Sequence, residues 1–252
     1  MLNFENVRMR RYEPYPLAVI KPAIDPAFYG ELIANFPDIS LFDVLKKHPY
    51  KLSLSEKFAP SNYARFLREN EPWGRFHAWV KSDAFIRAIV NSLKANHVDL
   101  ALDEAFEDLP TKLKRHGRSW LRGHLPHTAM KLRSRFEFSV LKADGGEVPP
   151  HTDTPRKVVT LVISMIADGE WPMEIGGGLD VNRTADPSYA YNWNNRLVPW
   201  ESVEVVETIP FVPNQCIIFV KTFNSLHSVR RMTETGSDLL RKTVTIVIEH
   251  ES

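Results

Sequence analysis

The sequence predicts an α+β fold dominated by β structure, with a helical first half supporting an antiparallel sandwich or barrel in the second. Two observations carry this. Apolar residues recur three and four apart in several stretches of the first half, and runs rich in β-branched and aromatic residues follow one another in the second half. A third sets the topology: no helical pattern intervenes between those later runs, so the strands are expected to pair antiparallel rather than through βαβ crossovers.

The first helix is expected from Pro26, with Phe28, Leu32, Ile33 and Phe36 on its apolar face and Pro37 ending it. One or two amphipathic helices are expected between Pro72 and Ala95, the second capped by Asp83. A further helix is expected in LALDEAFEDLPTKLKR, broken at Pro110. Strands are expected in FEFSVL, KVVTLVISMI, VEVVETI, QCIIFV and KTVTIVIE, with weaker ones at GGLDVN and near His227. The chain reads as one domain over 1–252, with helical support in 1–128 and the β core in 129–252.

Composition narrows the function classes. Of 252 residues, 43% are hydrophobic and 25% charged, ordinary values for a chain that buries a core. A net charge of +1 gives no global field to recruit nucleic acid or an anionic membrane. Cys216 is the only cysteine, which excludes an intrachain disulfide and a multi-cysteine zinc site; within QCIIFV it reads as a buried small hydrophobe. The N-terminal residues are not a secretory signal and no run is long enough to span a membrane, so a cytoplasmic protein is expected. Neither a nucleophile elbow nor a phosphate-binding loop motif is present.

The chemistry is expected at PPHTDTP. On a strand, residues two apart share a face, so His151 and Asp153 are expected to project together. His227, after the apolar run QCIIFV, is the candidate third ligand; two imidazoles and a carboxylate leave coordination positions open, as a non-haem iron(II) site requires. His-x-Asp alone is common by chance among nine histidines. His48, His77, His97, His116 and His250 read as structural or surface residues, and Pro126 disrupts the helix that would align His124 with His127. Further down the chain, Arg241, Thr243 and Thr245 share one strand face, and an Arg with a hydroxyl two residues on can grip a carboxylate. Lys242 is the rival anchor if the register differs by one residue.

With HTDTPRKVVTLVISM, GGGLDV, VPNQCIIFVKTFNSLHSV and RKTVTIVIE in this order, the segment from Phe136 to Glu249 resembles the iron(II)/2-oxoglutarate-dependent oxygenases of the prolyl-4-hydroxylase-like group. The resemblance implies a double-stranded β-helix (jelly-roll) core with helices on its major sheet. It implies His151, Asp153 and His227 as iron ligands, and Arg241 with Thr243 on the distal carboxylate of 2-oxoglutarate. It further implies a dioxygenase that hydroxylates a small-molecule or peptide substrate, releasing succinate and carbon dioxide. Where members of the group often carry a cosubstrate-contacting Tyr, this chain has Leu141. The competing expectation is a non-catalytic cupin-like jelly roll that binds a sugar or another metal.

Two surface features bear on the substrate. Lys112, Lys114, Arg115, Arg118, Arg122, Lys131, Arg133 and Arg135 fall in a stretch without acidic residues, which reads either as a solvated face or as a rim attracting an anionic substrate. The loop WNNRLVPW, from Trp193 to Trp200, is a candidate cover for the site mouth.

Overall fold

The computed structural model describes residues 1–45, 48–106 and 131–251. Twelve strands and four α-helices occur among them: β1 (Val7–Arg11), β2 (Leu17–Ile20), α1 (Pro26–Ala34), β3 (Asp43–Leu45), β4 (His48–Ser55), α2 (Pro60–Glu69), α3 (Glu71–Val80), α4 (Asp83–Ala95), β5 (Leu132–Lys142), β6 (Val148–His151), β7 (Lys157–Ser164), β8 (Leu179–Arg183), β9 (Glu204–Ile209), β10 (Cys216–Val220), β11 (His227–Val229) and β12 (Leu240–His250). They form an eight-stranded sheet in the order β1-β2-β10-β7-β12-β5-β4-β3 and a four-stranded sheet in the order β6-β11-β8-β9. Every pairing is antiparallel.

The helices begin where local chemistry allows. Asp25 accepts hydrogen bonds from the N–H groups of Ala27 and Phe28 at the start of α1, and Pro26 occupies the first turn. For α4 the cap is Ser82, whose hydroxyl oxygen accepts from the N–H of Phe85; Asp83, the expected cap, is instead the first helical residue. Among its described residues the first half holds four α-helices, as expected in kind, together with four strands that were not expected. It contributes β1 to β4, and these strands are short or carry polar residues at alternate positions (VRMRR, LAVI, DVL, HPYKLSLS), so their pattern is weak until tertiary pairing supplies the partners. The segment LALDEAFEDLPTKLKR begins with a 3-10 turn at Asp103–Phe106, and its remainder lies outside the described residues.

Alternation along the central strands separates the two faces of the large sheet. Phe136, Phe138 and Val140 of β5, Val244, Ile246 and Ile248 of β12, and Val159, Leu161 and Ile163 of β7 lie on one face and are buried against Trp73, Phe76, Phe85 and Ile89 of the helices. Phe138 is at the centre, with its ring 4.7 Å from Trp73, 5.1 Å from Phe136 and 5.5 Å from Phe66. The opposite face is apolar toward β2 and β10, where Leu17, Ile217 and Phe219 pack on Leu179, Val181 and Ile209 of the small sheet. Toward β5 and β12 it turns polar: the rows Ser139–Thr243–Ser164 and Glu137–Thr245–Val162 run across β5, β12 and β7. The site lies in this polar half of the space between the sheets.

Cys216 is fully buried in the core, and burial pushes its thiol pKa upward, as expected for a packing residue. Among the described residues no helix is long and apolar enough to cross a membrane.

Candidate metal centre

His151 ends β6 and His227 begins β11, and the two are direct cross-strand partners with ring centroids 4.3 Å apart. Asp153 completes the cluster: one ligand atom from each of the three residues lies within 4.8 Å of the others. Nε2 of His151 is 3.5 Å from one Asp153 oxygen, and Nε2 of His227 is 3.9 Å from the other.

Asp153 reaches this position by a different route from the expected strand alternation. β6 stops at His151, and Asp153 takes a left-handed backbone conformation with φ of 73°. Few side chains other than Asn and Asp tolerate that region. Between the two ligand candidates, the Thr152 hydroxyl donates to the Asn192 carbonyl, which turns the chain inward. The spacing therefore worked through a turn rather than through the pleat.

The ring orientations suit a cation. Nδ1 of His151 lies 2.9 Å from the carbonyl of Pro149, and Nδ1 of His227 lies 2.9 Å from the carbonyl of Ser225. A carbonyl only accepts, so each Nδ1 carries a proton and each ring turns its Nε2 toward the shared space. Burial, with the neighbouring His151, pushes the His227 pKa down to about 3, which keeps that ring neutral. Burial alone would raise the Asp153 carboxyl, but the Lys157 ammonium and the two imidazoles outweigh it and hold the group well below the usual carboxylate range. Lys157 donates to one Asp153 oxygen at 2.5 Å and the Thr160 hydroxyl to the other at 3.0 Å. Two imidazoles with their Nε2 atoms turned inward and one oriented carboxylate, all facing one point, fit a divalent ion with open coordination positions.

A cavity of about 140 Å³ extends from this cluster to Arg241 and Thr243. Arg241 is 5% exposed; its Nε donates to the Gly177 carbonyl at 2.5 Å and its guanidinium lies 4.5 Å from the centroid of Phe211. Burial lowers its pKa to about 10, so it stays charged at neutral pH. No carboxylate among the described residues forms an ion pair with it. Thr243 donates to the Ser139 carbonyl at 3.1 Å and lines the same cavity, with Leu141 nearby. Lys242, the rival anchor, lies on the helix-facing side of the sheet, where it pairs with Glu170 at 2.5 Å and sits over Phe36. The strand register thus separates the two candidates.

Sequence reasoning missed Lys157, Thr160 and Gly177. The separation of Lys157 from Asp153 carries no signal until the intervening turn is formed. Gly177 belongs to a glycine run that reads only as a turn. Of the basic stretch, Arg133 and Arg135 are at the rim, while 111–130 lies outside the described residues, as do His116, His124 and His127. The Trp193–Trp200 loop is tied beside His151 by the Val198 N–H, which donates to Pro150. Its Trp193 ring lies 4.9 Å from the Lys221 ammonium, and Asn195 reaches the outer opening.

No protein-family model matches the chain, and no curated protein matches it. Solved structures do. The chain is similar to a prolyl-4-hydroxylase from Pseudomonas putida, at 11% identity over 93% of this chain and 92% of that one, with a TM-score of 0.48. It is similar to a prolyl hydroxylase from Trichoplax adhaerens, solved with a hypoxia inducible factor peptide fragment, at 10% identity over 92% and 83%, with a TM-score of 0.45. A non-haem alpha-ketoglutarate-dependent epimerase from nogalamycin biosynthesis is similar at 12% identity over 92% and 76%, with a TM-score of 0.46.

Proposed function

We propose that this chain is an iron(II)- and 2-oxoglutarate-dependent oxygenase of the prolyl-4-hydroxylase-like group, acting as one domain with a double-stranded β-helix core. The observation that carries the reading is Arg241: a buried guanidinium without a counter-ion among the described residues, in one cavity with His151, Asp153 and His227. A buried cation of this kind is costly unless an anion completes it. A diacid would do so at one end while its other end reaches the metal position.

In this reading His151, Asp153 and His227 hold iron(II), Arg241 takes the distal carboxylate of 2-oxoglutarate through charge-assisted hydrogen bonds, and Thr243 joins it by rotating its hydroxyl proton from the Ser139 carbonyl to the ligand. Lys157 and Thr160 orient the Asp153 carboxylate. Phe219, 4.4 Å from the His227 ring, shields one side of the centre from water. The bound metal and cosubstrate supply the oxidising chemistry, with succinate and carbon dioxide as co-products of substrate hydroxylation. A cupin-like binding protein would have no use for a buried Arg241 opposite the cluster.

The test is calorimetric titration of 2-oxoglutarate into the protein with and without manganese(II). Metal-dependent binding that Arg241→Ala weakens by about 100-fold supports the reading, since losing one partner of a buried charge pair costs about 2–5 kcal/mol. Equal binding by the variant, or none by the manganese-loaded wild type, overturns it.

A further inference from the structure

Outside the inner cavity lies a second one of about 430 Å³, which shares His151, Asp153 and Lys157 with it. That volume is the size of a small-molecule site. Its described charged lining is mostly basic: Lys51, Lys57, Arg133, Arg135 and Lys157, against Glu56 and Glu137 besides Asp153.

The pairing leaves cationic charge over. Glu137 answers Lys51 at 3.8 Å, and Glu56 is bound by Lys81 outside the cavity. Glu249 is the carboxylate closest to the Arg side chains at the rim, and Arg133 takes it through two contacts at 2.9 and 2.7 Å to a single oxygen. Arg135 and Arg156 remain 3.8 and 3.7 Å from the same residue, so three guanidinium groups share one negative charge. Lys57 forms no ion pair among the described residues and lies 5.4 Å from the Phe58 ring. A divalent ion on Asp153 would also compete with Lys157 for that carboxylate. Arg135 lines both cavities, so an anion held there directs the rest of its molecule toward His151 and Asp153.

We infer that the outer cavity is a substrate subsite for an acidic group, a carboxylate or a phosphate on a small molecule, with Arg135 as its anchor and Lys57 as a second cation. This rests on the oxygenase reading. Arg135 is 37% exposed on its side chain, so the contact is open to solvent and its contribution falls as salt rises.

The test uses protein loaded with manganese(II) and saturating 2-oxoglutarate, both measured first by calorimetry. Glycerol 3-phosphate, glycerate and neutral glycerol are then titrated at low salt. Binding of either anion but not of glycerol is expected, and which anion binds separates phosphate from carboxylate. Arg135→Gln should weaken that binding about 10- to 100-fold, the size of a lost charge-assisted contact, while Arg135→Lys recovers part of it and Lys242→Gln leaves it unchanged. Normal manganese and 2-oxoglutarate binding with no anion response, or a response that survives Arg135→Gln, overturns the subsite and leaves the oxygenase reading standing. Failure of the first measurement would instead remove that reading.

Discussion

The Nε of Arg241 donates to the carbonyl of Gly177, and a side chain at that glycine would crowd the same arginine. Gly177 has φ of 76°, and a Cβ there would lie 3.2 Å from Cδ of Arg241, 3.2 Å from the Trp171 ring and 3.1 Å from the sulfur of Met232. Gly177→Ala should therefore tilt the guanidinium without touching the His-Asp-His cluster. We expect 2-oxoglutarate affinity to fall about tenfold or more, about 1.4 kcal/mol, with manganese affinity unchanged. Titrating each ligand separately checks this, and equal losses of both would count against a local role.

Asp153→Asn keeps a residue that tolerates the left-handed backbone while removing the charge. Metal affinity should drop by more than the roughly 10- to 100-fold typical of altering a supporting residue. The melting temperature without metal is expected to change less than for Asp153→Ala, which adds backbone strain. Manganese titration and thermal melts of the two variants separate charge from conformation.

Lys242 supplies a control from the same strand. Its side chain points away from the cavity to Glu170, so Lys242→Ala should leave 2-oxoglutarate binding within error while Arg241→Ala abolishes most of it. A comparable loss in both variants would mean that Lys242 and Arg241 do not lie on opposite faces of β12.

Removing the ring of Phe138 should cost about 3–5 kcal/mol, because it is fully buried among Trp73, Phe136, Phe66 and Phe36. Equilibrium unfolding of Phe138→Ala in urea measures this. A loss below about 1 kcal/mol would mean that the helical layer does not pack as described.

His77 should make the fold acid-sensitive. Burial, aided by nearby Lys81 and opposed by Glu56, lowers its pKa from 6.5 to about 4, and its Nε2 is buried without a hydrogen-bond partner. The unfolded chain binds a proton near 6.5 that the folded chain refuses until about 4, so this residue's share of stability is lost as pH falls through that window. Melting temperature against pH should therefore decline more steeply for the wild type than for His77→Phe. Parallel curves would place the acid sensitivity elsewhere.

The later strands were legible because β-branched and aromatic residues run through them, and strand alternation then sorts such series as Phe136, Phe138 and Val140 onto one face. Arg241, Thr243 and Thr245 were legible as a set for the same reason, and the cavity they line bears out that shared face. β1 to β4 were not, since their stability comes from neighbours distant in sequence, such as Leu52 of β4 paired with Val140 of β5. Convergence of His151 and Asp153 was anticipated, but its cause was not: a positive φ at a non-glycine residue leaves no trace in spacing. Lys157 became visible only once the turn had brought it onto Asp153.

Strands β5 and β12 each carry two messages at once, aromatic and aliphatic groups toward the helices and hydroxyls and charges toward the cavity. Inserting or deleting a single residue inside either strand would exchange the messages, sending phenylalanines into the ligand space and ions into the oily layer. The cavity lining and the docking of the helices are therefore coupled, and changes that alter one without the other fall mainly at the strand ends and in the loops that frame the opening.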